Sequence, residues 1–372
     1  MEKTMLACHY DTFGGRNVDK VGQIRKVGRE DIEDGQMVIK VCASSLNPAD
    51  YKQRSGESRL ILGFKFPQVH GFDFSGQVVE SKSNEFKAGD NVFGMCKGLR
   101  RGGLAEYMIV DADICVRKPE SVSHEDAASV PLTGITAMMA FRKCGLKEFQ
   151  KEKQPRVLVL GGAGGVGSIA IQLAKSLYNA SFVATTASPG KKTEFVKSLG
   201  ADLVVNYREN DFSIELASKD NAKLFDAILD CTGEVKKCPP LLAQGGGVFS
   251  IVESPTVEGL REFLVNSETA QFQKITCGVQ GFLESSIGGC IFNRVTGATS
   301  LRNRCKKVGG TYNMVIGTGN REMVEVLADQ LSKKSIRATI ERVYPLCDSL
   351  EALSHLEDGH TMGKVVIKVC DL

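Results

Sequence analysis

The 372-residue sequence predicts an α/β fold in which a doubly wound parallel sheet is joined to a second, mostly β domain. Two observations support this prediction. Short β-rich runs separated by Gly, Asn, Asp and Pro occupy the first third of the chain, whereas apolar strands alternate with amphipathic helices after Pro119. The length also suits two domains of ordinary size better than one.

The first third is predicted to be an irregular and mainly antiparallel β domain. Its strands are the runs Met37–Ala43, Asp73–Glu80, Asn91–Met95 and Ala105–Val110, and Lys87–Phe93 is a turn that leads into the third of them. The tail returns to this texture with strand Ala338–Val343, helix Asp348–Leu356 and strand Lys364–Val369. The predicted domains are therefore 1–130 with 335–372, and 131–334.

The second domain is predicted from alternating strands and helices. A Ser cap and an acidic first turn begin a helix at Ser123–Ser129, which Leu132–Phe141 continues. The elements that follow are strand Arg156–Leu160, helix Ser168–Tyr178, strand Ser181–Thr185, helix Lys191–Leu199, and strands Leu203–Asn206, Phe225–Asp230 and Gly247–Val252. Continuous apolar strands of this kind indicate a parallel sheet covered on both faces. Residues 253–307 are not assigned to any element.

Composition excludes several classes of protein. A net charge of +3 gives no reason to expect a nucleic acid or an anionic membrane as partner, and no segment has the apolar length of a membrane span. The twelve cysteines are scattered without a C-x-x-C pair, so we expect reduced thiols and no structural zinc site. The N-terminus lacks targeting features, which favours the cytoplasm, or an organelle if a transit peptide has been removed.

A glycine loop carries the clearest chemical signal. It comprises Gly162, Ala163, Gly164, Gly165, Val166 and Gly167, directly after an apolar strand and directly before a helix. In a Rossmann dinucleotide-binding domain the first glycine permits a tight turn and the second lets a pyrophosphate approach the backbone. The third allows close packing of helix and strand. The alternative is a glycine-rich turn that binds no ligand.

The choice of nucleotide is read at the end of the next strand. A carboxylate there would bind the ribose hydroxyls of NAD, but Thr185–Lys192 contains none. It offers Ser188 and the cations Lys191 and Lys192 instead, which suit a ribose 2′-phosphate. The alternative is that the two lysines are simply solvated residues in the first turn of a helix. The missing acid favours NADPH.

Many ordered segments resemble the medium-chain dehydrogenase/reductase superfamily, closest to its zinc-free quinone oxidoreductases (zeta-crystallin-like) and alkenal or enone reductases. These segments are Ser45–Asp50, Gly71–Gly76, Lys87–Gly94, Pro131–Ala137, Gly162–Gly167, Leu199–Asp202, Asn206–Arg208, Phe225–Asp226, Gly359–His360 and Gly363–Val366. The resemblance covers nearly the whole chain. It implies a GroES-like catalytic domain beside a Rossmann NADP-binding domain.

The same resemblance locates the positions that hold catalytic zinc in the alcohol dehydrogenases of the superfamily. Here they are Asn47, Phe72 and Ser129, which are not a plausible set of zinc ligands. His70 lies two positions away from the motif and is interpreted as structural. We therefore expect no metal and a hydride transfer to an acceptor that is already electrophilic, such as a quinone or an activated enone.

The resemblance also suggests site residues. Asn47 and Asp50 are expected to border the nicotinamide and the substrate, although Asp50 has the equal alternative of capping a helix. Thr136 is expected near the nicotinamide and completes the expected catalytic set with Asn47 and Asp50. The other expected cofactor-binding residues are Asn320 on the nicotinamide side, Tyr207 near the adenine ribose and its 2′-phosphate, and Lys192 on that phosphate. A general acid is not assigned. Some relatives have a Tyr two residues after the Asp of the first motif, where this chain has Lys52; its Tyr51 comes one position early.

Two other functions remain open at this level: an enoyl-thioester reductase, and an NADPH-binding regulatory or interaction protein without turnover. The resemblance also favours a homodimer that pairs edge strands, with Thr311–Ile316 as the candidate. Four phenylalanines in the unassigned region are candidates for an acceptor pocket, although buried packing is the more common role: Phe263, Phe272, Phe282 and Phe292.

Overall fold

The computed structural model describes residues 3–56, 65–96, 102–149, 154–218, 224–252, 298–313 and 320–371. Their contacts form two compact units. The β-rich unit contains the described residues of Met1–Ile135 and Thr318–Leu372, and the parallel-sheet unit contains those of Thr136–Asn266 and Cys277–Gly317. The domain boundaries drawn from sequence texture, at 131 and 334, stay a prediction.

The elements are numbered along the chain. The described strands are β1 (Thr4–Tyr10), β2 (Asp19–Arg25), β3 (Gln36–Leu46), β4 (Gln68–Val69), β5 (Asp73–Ser81), β6 (Asn91–Met95), β7 (Tyr107–Asp111), β8 (Cys115–Arg117), β9 (Arg156–Leu160), β10 (Phe182–Ala187), β11 (Leu203–Asn206), β12 (Phe225–Asp230), β13 (Leu242–Ser250), β14 (Thr311–Asn313), β15 (Ile340–Pro345) and β16 (Lys364–Lys368). The described helices are α1 (Pro48–Arg54), α2 (His124–Ser129), α3 (Pro131–Lys143), α4 (Gly165–Ser176), α5 (Lys191–Ser198), α6 (Phe212–Ser218), α7 (Ala298–Lys307), α8 (Arg321–Ser332) and α9 (Ser349–Glu357).

The β-rich unit is built on a seven-stranded sheet around β3. Its path runs β15-β16-β3-β5-β6-β8, and β7 pairs with β3 off this path. Only β15 and β16 run parallel within it, so the prediction of a mostly antiparallel β domain is confirmed. The small sheet β2-β1-β4 completes the described strands of this unit. Met37, Ile39 and Val41 of β3 pack into a buried cluster with Phe74.

The parallel-sheet unit has six strands in the order β11-β10-β9-β12-β13-β14. Numbered along the chain within the unit, this is the order 3-2-1-4-5-6 of a doubly wound Rossmann sheet. All five strand pairs are parallel, and the central strands β9 and β12 are buried almost throughout. The prediction of a Rossmann-type sheet is therefore confirmed.

Two helix boundaries follow from local chemistry. The Ser123 hydroxyl accepts a hydrogen bond from the Asp126 N–H and caps α2, as the sequence predicted. The expected continuous helix divides at Val130, because Pro131 lacks an N–H and suits the first position of a new helix, α3.

Residues 298–307, unassigned from sequence, form α7. The four phenylalanines and residues 314–316 of the candidate dimer strand lie outside the described residues.

Within the described part of the chain, no helix combines the length and the apolar character that a membrane crossing requires.

Candidate nucleotide-binding and active-site residues

The glycine loop connects the end of β9 to the start of α4. Gly164 is the N-cap of α4, has an extended backbone and provides no side-chain cap. The first N–H groups of a helix have no acceptor inside it, and the helix dipole adds a partial positive charge at this end. Together these features make the start of α4 suitable for binding a phosphate group.

Three glycines of the loop have different surroundings. A Cβ added to Gly162 would overlap the Thr185 hydroxyl oxygen on β10, and one added to Gly167 would overlap the Gly161 carbonyl oxygen. A Cβ at Gly164, in contrast, would meet only the Gly161 carbonyl oxygen, at 3.5 Å. Gly162 and Gly167 are therefore needed for packing, whereas the open face of Gly164 is where a ligand could approach the backbone.

The loop also lies at the point where the order of the strands reverses. The chain passes from β9 to β10 and β11 on one side of the sheet and then returns to β12 on the other. In open parallel sheets, ligands bind beyond the carboxyl ends of the strands at this point. The last residues of the two central strands, Leu160 and Asp230, are directly paired, so the loops that follow them are adjacent.

Asp230 shapes the second of these loops, and the sequence interpretation missed it. Its side chain is fully buried and accepts hydrogen bonds from six donors: the N–H groups of Thr232, Gly233, Glu234 and Val235, and the hydroxyls of Thr232 and Ser250. The Thr232 methyl group packs against Gly161, whose φ is +78°. The only signal in the sequence was an acid at the end of an apolar strand before Cys-Thr-Gly.

The residues expected to recognise the 2′-phosphate follow β10 and β11. Ala187 pairs with Asn206 at the ends of these parallel strands, so Ser188 and Tyr207 come next on adjacent strands. Ser188 is buried, and its carbonyl accepts from the Thr193 hydroxyl. Tyr207 is 51% exposed, and Lys192 is half-buried in the first turn of α5.

One further cation stands at this edge. Arg208 directly follows Tyr207 and is exposed, and its backbone N–H donates to the Asn206 side chain at 3.2 Å. The sequence analysis included Arg208 in the matched segment Asn206–Arg208 but gave it no role.

In the β-rich unit, Asn47 directly precedes α1 and Asp50 lies in its first turn. Asn47 is the N-cap, and the Asp50 Oδ2 accepts from the Asn47 N–H at 2.9 Å, so Asp50 caps the start of the helix. The Asp50 Oδ1 accepts from the Gly71 N–H at 2.8 Å. Of the two alternatives for Asp50, the structure shows the helix cap; its predicted place beside the substrate stays a prediction.

The Asn47 side chain is held by two charged residues that the sequence interpretation did not select. Its Nδ2 donates to Asp73 at 2.9 Å, and its Oδ1 accepts from the Lys364 ammonium at 2.5 Å. Burial raises the pKa of Asp73, an effect that the Lys364 charge and the Asn47 hydrogen bond oppose. Burial likewise lowers the pKa of Lys364, against the attraction of Asp73.

His70 is fully buried, in agreement with its structural interpretation. Its Nε2 lies 2.8 Å from Asp19, which also binds Arg54 at 2.6 Å.

Thr136 is buried within α3. Asn320 is the N-cap of α8, where its side-chain oxygen accepts from the Met323 N–H at 3.0 Å. Cofactor contacts for Thr136 and Asn320 stay predictions.

Comparison with known proteins gives the family. The description "Alcohol dehydrogenase GroES-like domain" matches residues 33–120, and "Zinc-binding dehydrogenase" matches residues 199–367. A 2-methylene-furan-3-one reductase of Solanum lycopersicum is 37% identical over 73% of this chain and 68% of its own length. An NADPH-dependent alkenal/one oxidoreductase, chloroplastic, of Arabidopsis thaliana is 35% identical over 73% and 69%. The solved quinone oxidoreductase from Coxiella burnetii is 30% identical over 99% of this chain and 100% of its own, with a TM-score of 0.76.

The chain belongs to the medium-chain dehydrogenase/reductase superfamily, in its zinc-free quinone oxidoreductase branch. The predicted family is thereby confirmed, as is the GroES-like domain of the predicted fold. Membership supports a nicotinamide nucleotide as cofactor, and the glycine loop at the start of α4 fits its pyrophosphate.

The positions that hold zinc in other members of this superfamily do not fit a zinc ion here, although one matching family description mentions zinc. Asn47 has both ends of its amide occupied, Phe72 is a buried aromatic residue, and the Ser129 hydroxyl donates to the Asp126 carbonyl at 2.8 Å. Zinc in proteins is bound by thiolates, imidazoles and carboxylates. The described residues also contain no cluster of three such ligands.

Proposed function

We propose that this chain is an NADPH-dependent reductase that delivers a hydride to quinones or α,β-unsaturated carbonyl compounds without the help of a metal. The observation that carries the proposal is the open backbone at Gly164, at the start of α4 and at the switch point of the sheet. Relatives named as alkenal/one, furanone and quinone reductases support the same class of acceptor.

The preference for NADPH is supported by the edge beyond β10 and β11. An NAD enzyme would place a carboxylate at the end of β10, whereas buried Ser188 and then Lys192 follow this strand, with Tyr207 and Arg208 after the neighbouring β11. A phosphate dianion gains from the ammonium of Lys192 and from hydroxyl donors, and it would be repelled by an acid. In this proposal the chain binds the 2′-phosphate of NADPH at this edge rather than a free ribose hydroxyl.

The bound nicotinamide nucleotide supplies the hydride, and the protein supplies binding and alignment. The start of α4 would hold the pyrophosphate, and Ser188, Lys192 and Tyr207 would hold the adenosine end. Asn47 and Asp50 border the acceptor in this proposal. Electrophilic acceptors need mainly the correct approach of their reactive carbon, together with a proton from a donor or from solvent.

The first test measures the turnover of three acceptors by the purified 372-residue chain. Oxidation of NADPH is followed at 340 nm with 9,10-phenanthrenequinone, a 2-alkenal and crotonyl-CoA. We expect turnover with the quinone or the alkenal. Turnover with crotonyl-CoA alone would favour an enoyl-thioester reductase. Tight NADPH binding without any turnover would favour a regulatory NADPH-binding protein.

The second test concerns Lys192. We expect Lys192→Ala to raise the dissociation constant for NADPH by about 10- to 100-fold, the usual worth of a hydrogen bond to a charged group, and to leave NADH unaffected. Binding is measured by fluorescence of the reduced nucleotide. Lys197→Ala, an exposed lysine in the last turn of the same helix, is the matched control. Equal affinity of the wild type for NADPH and NADH would contradict the assignment of the phosphate site.

Two further features belong to the proposal. A homodimer would pair the strands β14 of two copies, because β14 is the last described strand on one side of its sheet. Sedimentation equilibrium tests whether the chain forms a dimer.

The cytoplasm is the proposed compartment, with an organelle as the alternative, and relatives with chloroplastic and mitochondrial names keep that alternative open.

A further inference from the structure

Four segments of the β-rich unit meet at the Asp73 carboxylate, on β5. It accepts hydrogen bonds from the Ser45 hydroxyl at 2.9 Å, the Asn47 amide at 2.9 Å and the Leu132 N–H at 2.7 Å. The Lys364 ammonium lies 3.6 Å away. Asp73 thereby joins the end of β3, the first turn of α3 and β16, and it is fully buried.

The Lys364 ammonium donates two hydrogen bonds, to the Asn47 Oδ1 at 2.5 Å and to the Leu46 carbonyl at 3.0 Å. It also forms an ion pair with Asp73 at 3.6 Å. The Lys364 side chain is only 4% exposed. Its charge is therefore balanced inside the protein and not by water.

These two charges determine how the Asn47 amide is oriented. An ammonium can only donate hydrogen bonds and a carboxylate can only accept them, so the amide oxygen must face Lys364 and the amide nitrogen must face Asp73. A rotation of the amide by 180° would bring like partners together at both ends. Asn47 thus has one orientation, at the residue where α1 begins.

A buried ion pair is a poor way to gain stability, because the loss of hydration offsets most of the attraction between the charges. Replacing such a pair by apolar residues of similar size is often neutral or even stabilising. The arrangement is better explained by the fixed geometry that it gives to Asn47 and to the first turn of α1.

We propose that Asp73 and Lys364 are positioning residues that hold Asn47 in one orientation, and that this alignment matters more for the reduction of an enone than for that of a quinone. The inference rests on the proposed function, in which Asn47 borders the acceptor. An enone must present one β-carbon to the hydride, so a displaced pocket wall costs it alignment. A quinone offers several reactive positions and tolerates a looser fit.

The experiment compares Lys364→Met, Asp73→Asn and the double variant with the wild type. Lys368→Met is the matched control, since Lys368 lies on the same strand but pairs with exposed Asp371 at the surface. For each protein we measure kcat/KM with a 2-alkenal and with 9,10-phenanthrenequinone, the dissociation constant for NADPH, and the thermal midpoint.

We expect Lys364→Met to lower kcat/KM for the alkenal by about 30- to 100-fold and that for the quinone by less than about 5-fold, as displacement by a fraction of an ångström affects the more demanding alignment. The dissociation constant for NADPH should stay within about 2-fold, because the nucleotide loop lies in the other unit. The control should behave as the wild type. The double variant should recover thermal stability, since neither charge is left unpaired, but not the alkenal activity.

A merely structural role gives a different pattern. Loss of folded protein lowers both activities by the same factor, and the double variant would then regain alkenal reduction together with stability. Either result would overturn the inference, as would a Lys364→Met enzyme with normal alkenal kinetics. A wild-type chain that reduces neither acceptor would instead overturn the proposed function. If Lys364→Met alone does not fold, the double variant provides the same comparison of acceptors.

Discussion

Two regions of the molecule are built in different ways. The nucleotide edge is the glycine loop with the start of α4 in the parallel-sheet unit, and the polar network is Ser45, Asn47, Asp73 and Lys364 in the β-rich unit. At the nucleotide edge, the glycine loop and the start of α4 present backbone groups, and the loop spans only the residues from Gly162 to Gly167. In the network, side chains from β3, β5 and β16 meet, and Lys364 contacts Asn47 across 317 positions of sequence. The comparison shows that a site made of backbone is local in sequence, whereas one made of buried charges is not.

The difference also affects how each site responds to change. Backbone N–H groups do not titrate. Their positions in this loop depend on glycines, because a side chain there would overlap neighbouring atoms. Buried ionisable side chains depend on their partners and on pH. Substitutions of glycine should therefore test the nucleotide edge, and substitutions of titratable groups should test the β-rich unit.

The largest effect is expected for Gly167→Ala. The added methyl group would lie 2.7 Å from the Gly162 Cα and would overlap a carbonyl oxygen, and backbone atoms cannot move aside easily. Overpacking of this kind typically costs about 1–3 kcal/mol, so the free energy of unfolding should fall by that amount and NADPH binding should be lost. Urea unfolding and nucleotide fluorescence measure the two effects. Unchanged stability would mean that the close packing of helix and loop is not needed.

A smaller and more selective effect is expected for Gly164→Ala. The nearest atom to the new methyl group is 3.5 Å away, and the backbone conformation suits any residue, so stability should change by less than about 1 kcal/mol. The methyl group would occupy the space where the pyrophosphate approaches, and we expect affinity for NADPH to fall at least about 10-fold, or 1.4 kcal/mol. Calorimetric titration decides this. Normal affinity would place the phosphates away from Gly164.

The smallest effect concerns pH and the β-rich unit. The ring Nδ1 of His124 lies 2.8 Å from the Ser75 hydroxyl, and burial, followed by the charge of Lys118, lowers the pKa of His124 from 6.5 to about 4. Between these values the unfolded chain binds a proton that the folded chain does not, so stability falls as pH drops from 6.5 towards 4.

We expect this histidine to contribute about 1 kcal/mol to the loss of stability between pH 7 and pH 5, after allowance for its partial exposure. Urea unfolding at the two pH values should therefore show a shallower decline for His124→Gln than for the wild type. Parallel declines would show that other groups cause the pH dependence of this unit.

Much of the parallel-sheet unit was predictable because its signals are local. The apolar strands Arg156–Leu160, Leu203–Asn206 and Phe225–Asp230 appear with the predicted bounds. The glycine loop lies between strand and helix as expected. The helix at residues 298–307 was missed, because a polar helix shows little apolar periodicity in sequence. In the β-rich unit the break at Val130 was missed, although Pro131 at the first position of α3 is typical of a helix start.

The site in the β-rich unit was predicted less completely. The resemblance identified Asn47 and Asp50, and it included Asp73 and Lys364 in matched segments without giving either of them a role. An acid in one strand and a lysine in another look like ordinary surface residues until the strands are placed side by side. Asp230 was missed for a similar reason, since its partners become apparent only when the following loop folds back over it.

By itself the sequence determined the class of the fold, the glycine loop and the absence of an acid beside it, because each of these depends on residues near one another in the chain. Only the tertiary structure decided the strand order that creates the switch point, the open face of Gly164, and the meeting of Asp73, Lys364 and Asn47. Burial and hydrogen bonding between distant segments depend on how the strands assemble, and a linear pattern of residues does not contain that information.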